Sequence, residues 1–232
     1  MKILECHNLT KKFGNRSTDF SAVHSVNLSI ESGDIYALIG ANGAGKTTLV
    51  KMIAGLLKPT EGTVKINDHD MSLQPLLAKS HFGYVPDEPF GYDFLTGFEF
   101  LRFSANLRGM SVLTSSARIE ALLKIFPISD MIYRPMSEYS RGVKQKVLIL
   151  AALLSKPEIL IIDEPIVGLD PKSMQILGRL MRKYADSGHV IFFVTHILDF
   201  VKSYATRVGV MNKGSLVKEV ILDKASKLDS LL

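Results

Sequence analysis

The chain has 232 residues, of which 47% are hydrophobic and 22% charged, a composition that excludes collagen-like and disordered proteins. Its 28 basic and 23 acidic residues give a net charge of +5, which favours an anionic partner but does not choose among nucleic acid, nucleotide and lipid. The single cysteine, Cys6, excludes an internal disulfide, and no Cys/His group has metal-ligand spacing, so we expect a reducing cytosol.

Short apolar runs alternate with longer helical patterns through most of the sequence, which is typical of an α/β domain. In chain order the patterns predict strands at 26–30 and 35–39, a helix at 47–57, and further strands at 158–162, 190–194 and 207–211. Several of these runs show little alternation, which fits strands buried on both faces of a parallel sheet. No run approaches the ~18 apolar residues of a membrane span, and the first residues do not resemble a signal peptide.

The character of the sequence changes between residues 87 and 157. Helical patterns cover 98–107, 115–126 and 141–154, and a loop with two prolines lies at 127–139. We therefore predict a single domain, 1–232, in which a helical subdomain at 87–157 interrupts a nucleotide-binding α/β core at 1–86 and 158–232.

A glycine-rich segment follows the strand predicted at 35–39 and opens the next helix. Residues 40–48 read GANGAGKTT, which matches GxxxxGK[ST] in its required context. The glycines let successive N–H groups turn inward, and the helix N-terminus adds positive charge, so the segment predicts a phosphate cradle. Lys46 would reach the β- and γ-phosphates, Thr47 would bind Mg²⁺ and Thr48 would assist at the α-phosphate. The remaining loop residues predicted to bind nucleotide are Asn42, Gly43, Ala44 and Gly45.

Two carboxylates end the apolar strand that follows the helical segment. Asp163 suits a Mg²⁺ ligand at a strand terminus, and Glu164 could orient or deprotonate an attacking water. Such a strand end is common by itself. Together with the phosphate loop it indicates a nucleoside triphosphatase.

Three further residues complete the pattern. Ser140 precedes a helix, where its hydroxyl suits either an N-cap or, with the free N–H groups, a phosphate contact. Asp170 follows the carboxylate pair in the segment Gly168-Leu169-Asp170-Pro171, and His196 follows the strand at 190–194.

With these motifs in this order, from about Phe13 to His196, the sequence resembles the nucleotide-binding subunit of an ATP-binding cassette (ABC) transporter. The resemblance implies a P-loop NTPase core with a mostly parallel sheet, and an antiparallel β subdomain near the N-terminus. It also implies head-to-tail pairing of two subunits, in which Ser140 and Gly142 of one contact the γ-phosphate held by the other.

The resemblance assigns further roles. Phe13 would stack on adenine, although a ring that anchors the turn before Gly14 is an equal alternative. His196 would sense the γ-phosphate, and Asp170 would belong to a loop at the nucleotide.

Two departures from the family pattern stand out. Asp87 occupies the position of a glutamine that usually contacts Mg²⁺ and the attacking water. A carboxylate there could join the catalytic and metal-binding residues but would crowd the two acids at the strand end. The signature segment, 139–145, carries Tyr139, Arg141 and Val143 in place of the commonest Leu, Gly and Gln. Both departures resemble the branch that serves ABC-2-type exporters.

We therefore expect an ATPase that uses ATP and Mg²⁺ and powers an exporter of a drug, peptide or other small molecule by dimer closure. The dimer would be a homodimer, or a heterodimer with a related subunit. Separately encoded permease subunits would hold the chain on the cytoplasmic face of the membrane.

Two alternatives share the phosphate loop. A soluble ABC-type ATPase could act on nucleic acid or ribosomes, but the basic residues are scattered, so no specific nucleic acid is expected. A GTPase or small-molecule kinase is the other alternative. Asn212-Lys213-Gly214-Ser215 lacks the acidic residue that a guanine-reading segment would need.

Overall fold

The computed structural model describes residues 1–14, 20–89 and 91–222. The strands are β1 (Lys2–Phe13), β2 (Phe20–Glu31), β3 (Ile35–Gly40), β4 (Glu61–Ile66), β5 (His69–Asp70), β6 (Phe82–Val85), β7 (Ile159–Asp163), β8 (Val190–Val194), β9 (Arg207–Asn212) and β10 (Ser215–Ile221). The helices are α1 (Lys46–Ile53), α2 (Pro75–Ser80), α3 (Gly97–Leu107), α4 (Val112–Leu123), α5 (Arg141–Ala152), α6 (Pro171–Asp186) and α7 (Leu198–Tyr204), with a 3₁₀ turn at Met136–Glu138.

Two sheets organise these elements. A four-stranded antiparallel sheet has the order β2-β1-β4-β5, and a six-stranded sheet has the order β10-β9-β3-β8-β7-β6. In the larger sheet β9, β3, β8, β7 and β6 run parallel, and only the edge strand β10 is antiparallel. The mostly parallel sheet and the antiparallel N-terminal sheet expected from the resemblance are both confirmed.

The larger sheet is covered on both faces. Along β3, Ile35, Ala37 and Ile39 enter the apolar cluster built with α3 to α6. Tyr36 and Leu38, which alternate with them, enter a second cluster built with α1 and the antiparallel sheet. Because both faces are buried, β7 and β8 are apolar at nearly every position. None of the described helices is long and apolar enough to span a membrane.

Most predicted elements are present, with shifted ends. The strand at 190–194 coincides with β8. The helix predicted at 47–57 stops at Ile53, because the chain turns at Gly55, whose φ is 63°. The helix predicted at 115–126 begins earlier, at Val112, because Ser111 caps it. The helices α3 to α5 lie within residues 87–157, but the division into core and helical subdomain stays a prediction, and residues 223–232 of the predicted core lie outside the described residues.

The signature tyrosine links α3 to the segment before α5. The Tyr139 hydroxyl accepts a hydrogen bond from the N–H of Gly97 at 3.0 Å and donates one to the carbonyl of Met131 at 2.7 Å. Both bonds lie in a largely buried region, and burial raises the pKa of Tyr139. A leucine could make neither bond, so this departure from the family pattern has a structural reason.

We predict that Tyr139→Phe lowers the free energy of unfolding by about 1–3 kcal/mol, because it leaves a buried donor and acceptor without their partner. Urea unfolding followed by circular dichroism measures this. The matched control is Tyr133→Phe, at an exposed ring, and it should change stability by less than about 0.5 kcal/mol. Equal effects of the two variants would contradict the role given to the Tyr139 hydroxyl.

Candidate functional site

The carboxyl ends of β3, β8, β7 and β6 meet at one edge of the larger sheet because these strands are parallel neighbours. A cavity of about 420 Å³ opens at this edge. It brings together most of the predicted site residues, namely loop residues 42, 43 and 45–48 with Phe13, Asp87, Asp163 and Glu164. Ala44 of the same loop is buried.

The phosphate loop has a backbone that requires glycine where it enters α1. Gly45 has φ of 99°, and a Cβ there would collide with the carbonyl oxygen of Ala22. No side chain caps the first N–H groups of α1, and its first turn holds no acidic residue. These N–H groups and the helix dipole therefore face the cavity without a competing carboxylate from α1.

Lys46 folds over the loop that precedes it. Its Nζ donates to the carbonyl oxygens of Gly40 at 2.7 Å and Ala41 at 3.0 Å. Burial lowers the pKa of Lys46, while Glu164 and Asp163 act in the opposite direction. The ammonium is thus held by neutral acceptors at the edge of the cavity, in a place where an anionic ligand would interact strongly with it.

Asp163 is the most buried acid of the site. Burial, and then the nearby Asp87 and Glu164, raise its pKa to about 6. Lys51 and Lys46 oppose the rise but do not cancel it. A cation placed among these oxygens would relieve the repulsion.

We predict that Asp163→Asn stabilises the chain in the absence of metal and nucleotide. The native carboxyl has a pKa of about 6 against an ordinary 3.8, so the native state binds more protons than the unfolded state between these values. Its stability therefore falls as pH rises through this window, by about 3 kcal/mol, since one pH unit corresponds to about 1.4 kcal/mol.

Thermal unfolding in EDTA at pH 7.5 tests this prediction. Asp163→Asn should melt higher than the unsubstituted chain, and the difference should shrink at pH 4. Asp199→Asn, which lies in the first turn of α7, serves as the control. A lower melting temperature for Asp163→Asn at both pH values would contradict the prediction.

Glu164 is held from three directions. Its backbone has φ of 50°, unusual outside glycine, and its N–H donates to the carbonyl of Val194 at 2.9 Å. The carboxylate accepts from the hydroxyl of Thr195 at 3.1 Å, and its other oxygen lies 3.0 Å from Nδ1 of His196. Sequence analysis missed Thr195, although its place between β8 and His196 would have suggested it.

Two aromatic rings from the antiparallel sheet also line the cavity. Phe13 and Phe20 are paired across β1 and β2, and both line it. Phe13 is 44% exposed, and the ammonium of Lys11 lies 5.2 Å from its ring centroid. Such exposure argues against a ring that anchors a turn. Sequence analysis missed Phe20. The signal that could have found it is an aromatic residue at the start of the strand that follows Phe13.

The residues predicted to serve a partner subunit lie elsewhere. Ser140, Gly142 and Asp170 are not among the described residues that line the cavity. Ser140 caps α5 by accepting from the N–H of Val143 at 3.4 Å, and a Cβ at Gly142 would collide with the carbonyl of Gly168. Gly142 therefore has a packing role within one chain, whatever it contacts in a dimer.

Asp170 caps α6. Its carboxylate accepts from the N–H and hydroxyl of Ser173, at 2.9 and 2.6 Å, and from Nζ of Lys146 at 3.0 Å. The bonds from Ser173 and then Lys146 hold the pKa of Asp170 well below its usual range. Its contact with nucleotide stays a prediction.

Asp87 lies at the rim of the cavity and is paired. Its Oδ1 accepts from Nη2 of Arg141 at 3.1 Å, and the same nitrogen lies 3.1 Å from the Asp87 carbonyl oxygen. Sequence analysis noted both residues as departures but did not predict that they touch.

The family of the chain follows from comparison with known sequences. The sequence pattern described as ABC transporter matches residues 23–167, which is more than half of the chain. The chain belongs to the ABC transporter family. The expectation drawn from the order of the motifs is therefore confirmed.

Similar sequences include ATP-binding proteins named for transport. The bacitracin transport ATP-binding protein BcrA of Enterococcus faecalis is 36% identical over 228 residues, which cover 97% of this chain and 71% of BcrA. The lantibiotic transport ATP-binding protein SrtF of Streptococcus pyogenes is 31% identical over 229 residues, which cover 99% of this chain and 95% of SrtF.

Solved structures of ABC proteins share the fold. One, described as the ATP-binding subunit of an ABC transporter, superposes with a TM-score of 0.89 at 32% identity. The match covers 99% of this chain and 97% of the solved chain. A dimeric ATP-binding cassette in a post-hydrolysis state with ADP and Pi has a TM-score of 0.85 at 25% identity. That match covers 95% of this chain and 99% of the cassette. The chain is thus an ABC ATPase that binds and hydrolyses ATP.

Proposed function

We propose that the chain is the ATP-hydrolysing subunit of an ABC-2-type exporter that moves a peptide antibiotic, a drug or another small molecule. The observation that carries this proposal is the single cavity in which the phosphate loop, Asp163 and an oriented Glu164 meet. The names of BcrA and SrtF, which concern bacitracin and lantibiotic transport, support the substrate class.

The main polar residues in the cavity, and His196 beside Glu164, have roles in this proposal. The phosphate loop and Lys46 bind the triphosphate and balance its charge. Glu164, held by Thr195 and His196, accepts a proton from the attacking water. His196 also donates to the γ-phosphate.

Mg²⁺ fits the donor set of the cavity. The hydroxyl of Thr47 and the carboxylate of Asp163 are oxygen ligands of the kind that Mg²⁺ prefers. Asp87, which sequence analysis also considered as a ligand, is paired with Arg141. No cluster of three or more metal-binding His, Cys, Asp or Glu exists within the described ranges, which agrees with a metal bound partly through phosphate oxygens. When bound, Mg²⁺ would neutralise charge on the triphosphate.

A head-to-tail dimer would complete the site. Ser140 and Gly142 begin a helix outside their own cavity, and the Ser140 hydroxyl and the first N–H groups of α5 would contact the γ-phosphate of the other subunit. A homodimer is the simplest form of this proposal. The dimeric ADP-bound cassette with the same fold supports such pairing.

A permease would dock beside α2 and α3. A cavity of about 580 Å³ lies there, lined in part by Leu76, Tyr84, Phe100 and Leu107. Leu76 and Leu107 are exposed, as are other large apolar side chains in or just before α2 and α3, namely Leu73, Leu77 and Phe94. Such a patch marks a protein interface. The chain would therefore act on the cytoplasmic face of the membrane, held there by the permease.

Recovery with membranes tests the proposal. The chain is co-expressed with the products of its neighbouring genes, among which we expect a multi-span membrane protein, and we expect ATPase activity in the membrane fraction. Leu76→Asp should release the chain while its own MgATP binding is kept, and Val217→Asp, at an exposed apolar position on β10, should not. Salt-sensitive binding of RNA or DNA in a filter assay, without membrane recovery, would instead support the nucleic-acid alternative.

The aromatic pair gives a separate prediction. We expect Phe20→Ala to weaken ATP binding by about fivefold to a hundredfold, because stacking on an aromatic ring is worth about 1–3 kcal/mol per base. Phe13→Ala should have an effect of similar size, and Phe103→Ala, on the exposed side of α3, should have none. Equilibrium titration with a fluorescent ATP analogue measures all three. Unchanged affinity in Phe13→Ala and Phe20→Ala would remove both rings from the adenine site.

A further inference from the structure

The two departures from the family pattern meet each other in the structure. Asp87 follows β6 and lines the nucleotide cavity, and Arg141 is the first residue of α5. Their side chains pair at 3.1 Å, and Arg141 also reaches the Asp87 backbone carbonyl. An uncharged glutamine and a glycine, the commoner residues at these positions, could not form this ion pair.

Stability does not explain the pair well. Both side chains are 48% exposed, and exposed ion pairs contribute little to folding. The start of α5 is already attached to its surroundings by Lys144, which pairs with Asp93 at 3.1 Å, and by Lys146, which pairs with Asp170 at 3.0 Å. Arg141 therefore adds little to the stability of the fold, and we look for its role at the nucleotide cavity.

The charge of the cavity supplies a reason. Asp87, Asp163 and Glu164 converge on the space that receives a triphosphate. A third carboxylate would repel that anion. The guanidinium of Arg141 neutralises Asp87 at the rim and also fixes where its carboxylate points.

We propose that Arg141 is a positioning residue for the nucleotide site, and that it forms one functional unit with Asp87. The unit compensates the aspartate within the cavity of its own subunit. Because Arg141 lies between Ser140 and Gly142, the unit also connects that cavity to the segment facing the nucleotide of the partner subunit. This second part rests on the proposed dimer.

A double-mutant cycle tests the unit. Asp87→Gln, Arg141→Gln and the double variant are prepared in the otherwise unsubstituted chain, and affinity for a fluorescent, non-hydrolysable ATP analogue is measured with Mg²⁺ and again in EDTA. We expect Arg141→Gln alone to weaken binding by about fivefold, and the double variant to return within about twofold of the parent. The loss should be larger in EDTA, where the triphosphate carries its full charge.

Controls separate the inference from folding and from the proposed function. Asp93→Asn and Lys144→Gln remove the neighbouring ion pair of α5, and they should leave affinity unchanged in either buffer. Thermal unfolding verifies that each variant is folded. The inference would be overturned if the fold-changes in affinity of the two single variants multiplied in the double variant. It would also be overturned if Arg141→Gln kept parental affinity. Failure of the parent chain itself to bind ATP would instead refute the proposed function.

Discussion

Glu164→Gln is expected to reduce ATP hydrolysis by about a hundredfold to ten-thousandfold, the range that a general base contributes, while ATP binding is kept. The glutamine oxygen can still accept from Thr195, so the position of the side chain should survive. Only the ability to take a proton is lost. With ATP bound and hydrolysis blocked, the subunits should stay paired.

Phosphate release and size-exclusion chromatography with MgATP measure the two parts of this prediction. The variant should elute as a dimer with ATP and as a monomer without it. Glu120→Gln, at an exposed position on α4, is the matched control and should hydrolyse normally. Near-normal turnover in Glu164→Gln would remove Glu164 from the role of base.

Lys46→Ala is expected to weaken ATP binding by about tenfold to a hundredfold, because hydrogen bonds to charged groups contribute about 1.5–3 kcal/mol. The ammonium is already partly buried beside the loop carbonyls of Gly40 and Ala41. Little further desolvation of the ammonium is therefore needed when a phosphate binds. Alanine at this position has no group that could contact the phosphate.

Titration with the fluorescent ATP analogue measures this loss. Lys124→Ala removes an exposed lysine at the end of α4 and should retain full affinity. The loss in Lys46→Ala should be smaller at high salt, since screening weakens the interaction in the unsubstituted chain. Parental affinity in Lys46→Ala would contradict a phosphate contact by this side chain.

Local patterns predicted the elements that carry the chemistry. The strand before the phosphate loop, the strand ending at Asp163 and β8 were placed from apolar runs alone, because strands buried on both faces have few polar positions. The antiparallel N-terminal sheet came only from the family resemblance. Its strands β1 and β4 carry polar residues on their exposed face, and their register depends on partners distant in the chain.

Helix ends were less predictable than helix centres. Ser111 caps α4, so the helix begins at Val112, ahead of the predicted start at 115. Gly55, with its left-handed backbone, prevents α1 from continuing into the leucines at 56 and 57 that suggested a longer helix. Both boundaries depend on single capping or left-handed residues rather than on periodicity.

By itself, the sequence determined that this protein has a phosphate loop, a strand-end carboxylate pair and a net charge of +5, because loop chemistry and buried strands are local properties. Tertiary structure alone decided that Thr195 and His196 hold Glu164, that Phe20 joins Phe13, and that Arg141 neutralises Asp87. Apart from Phe13 and Phe20, which lie on the consecutive strands β1 and β2, these pairs join residues far apart in the chain. The order of the strands brings them together, and no local pattern records that order.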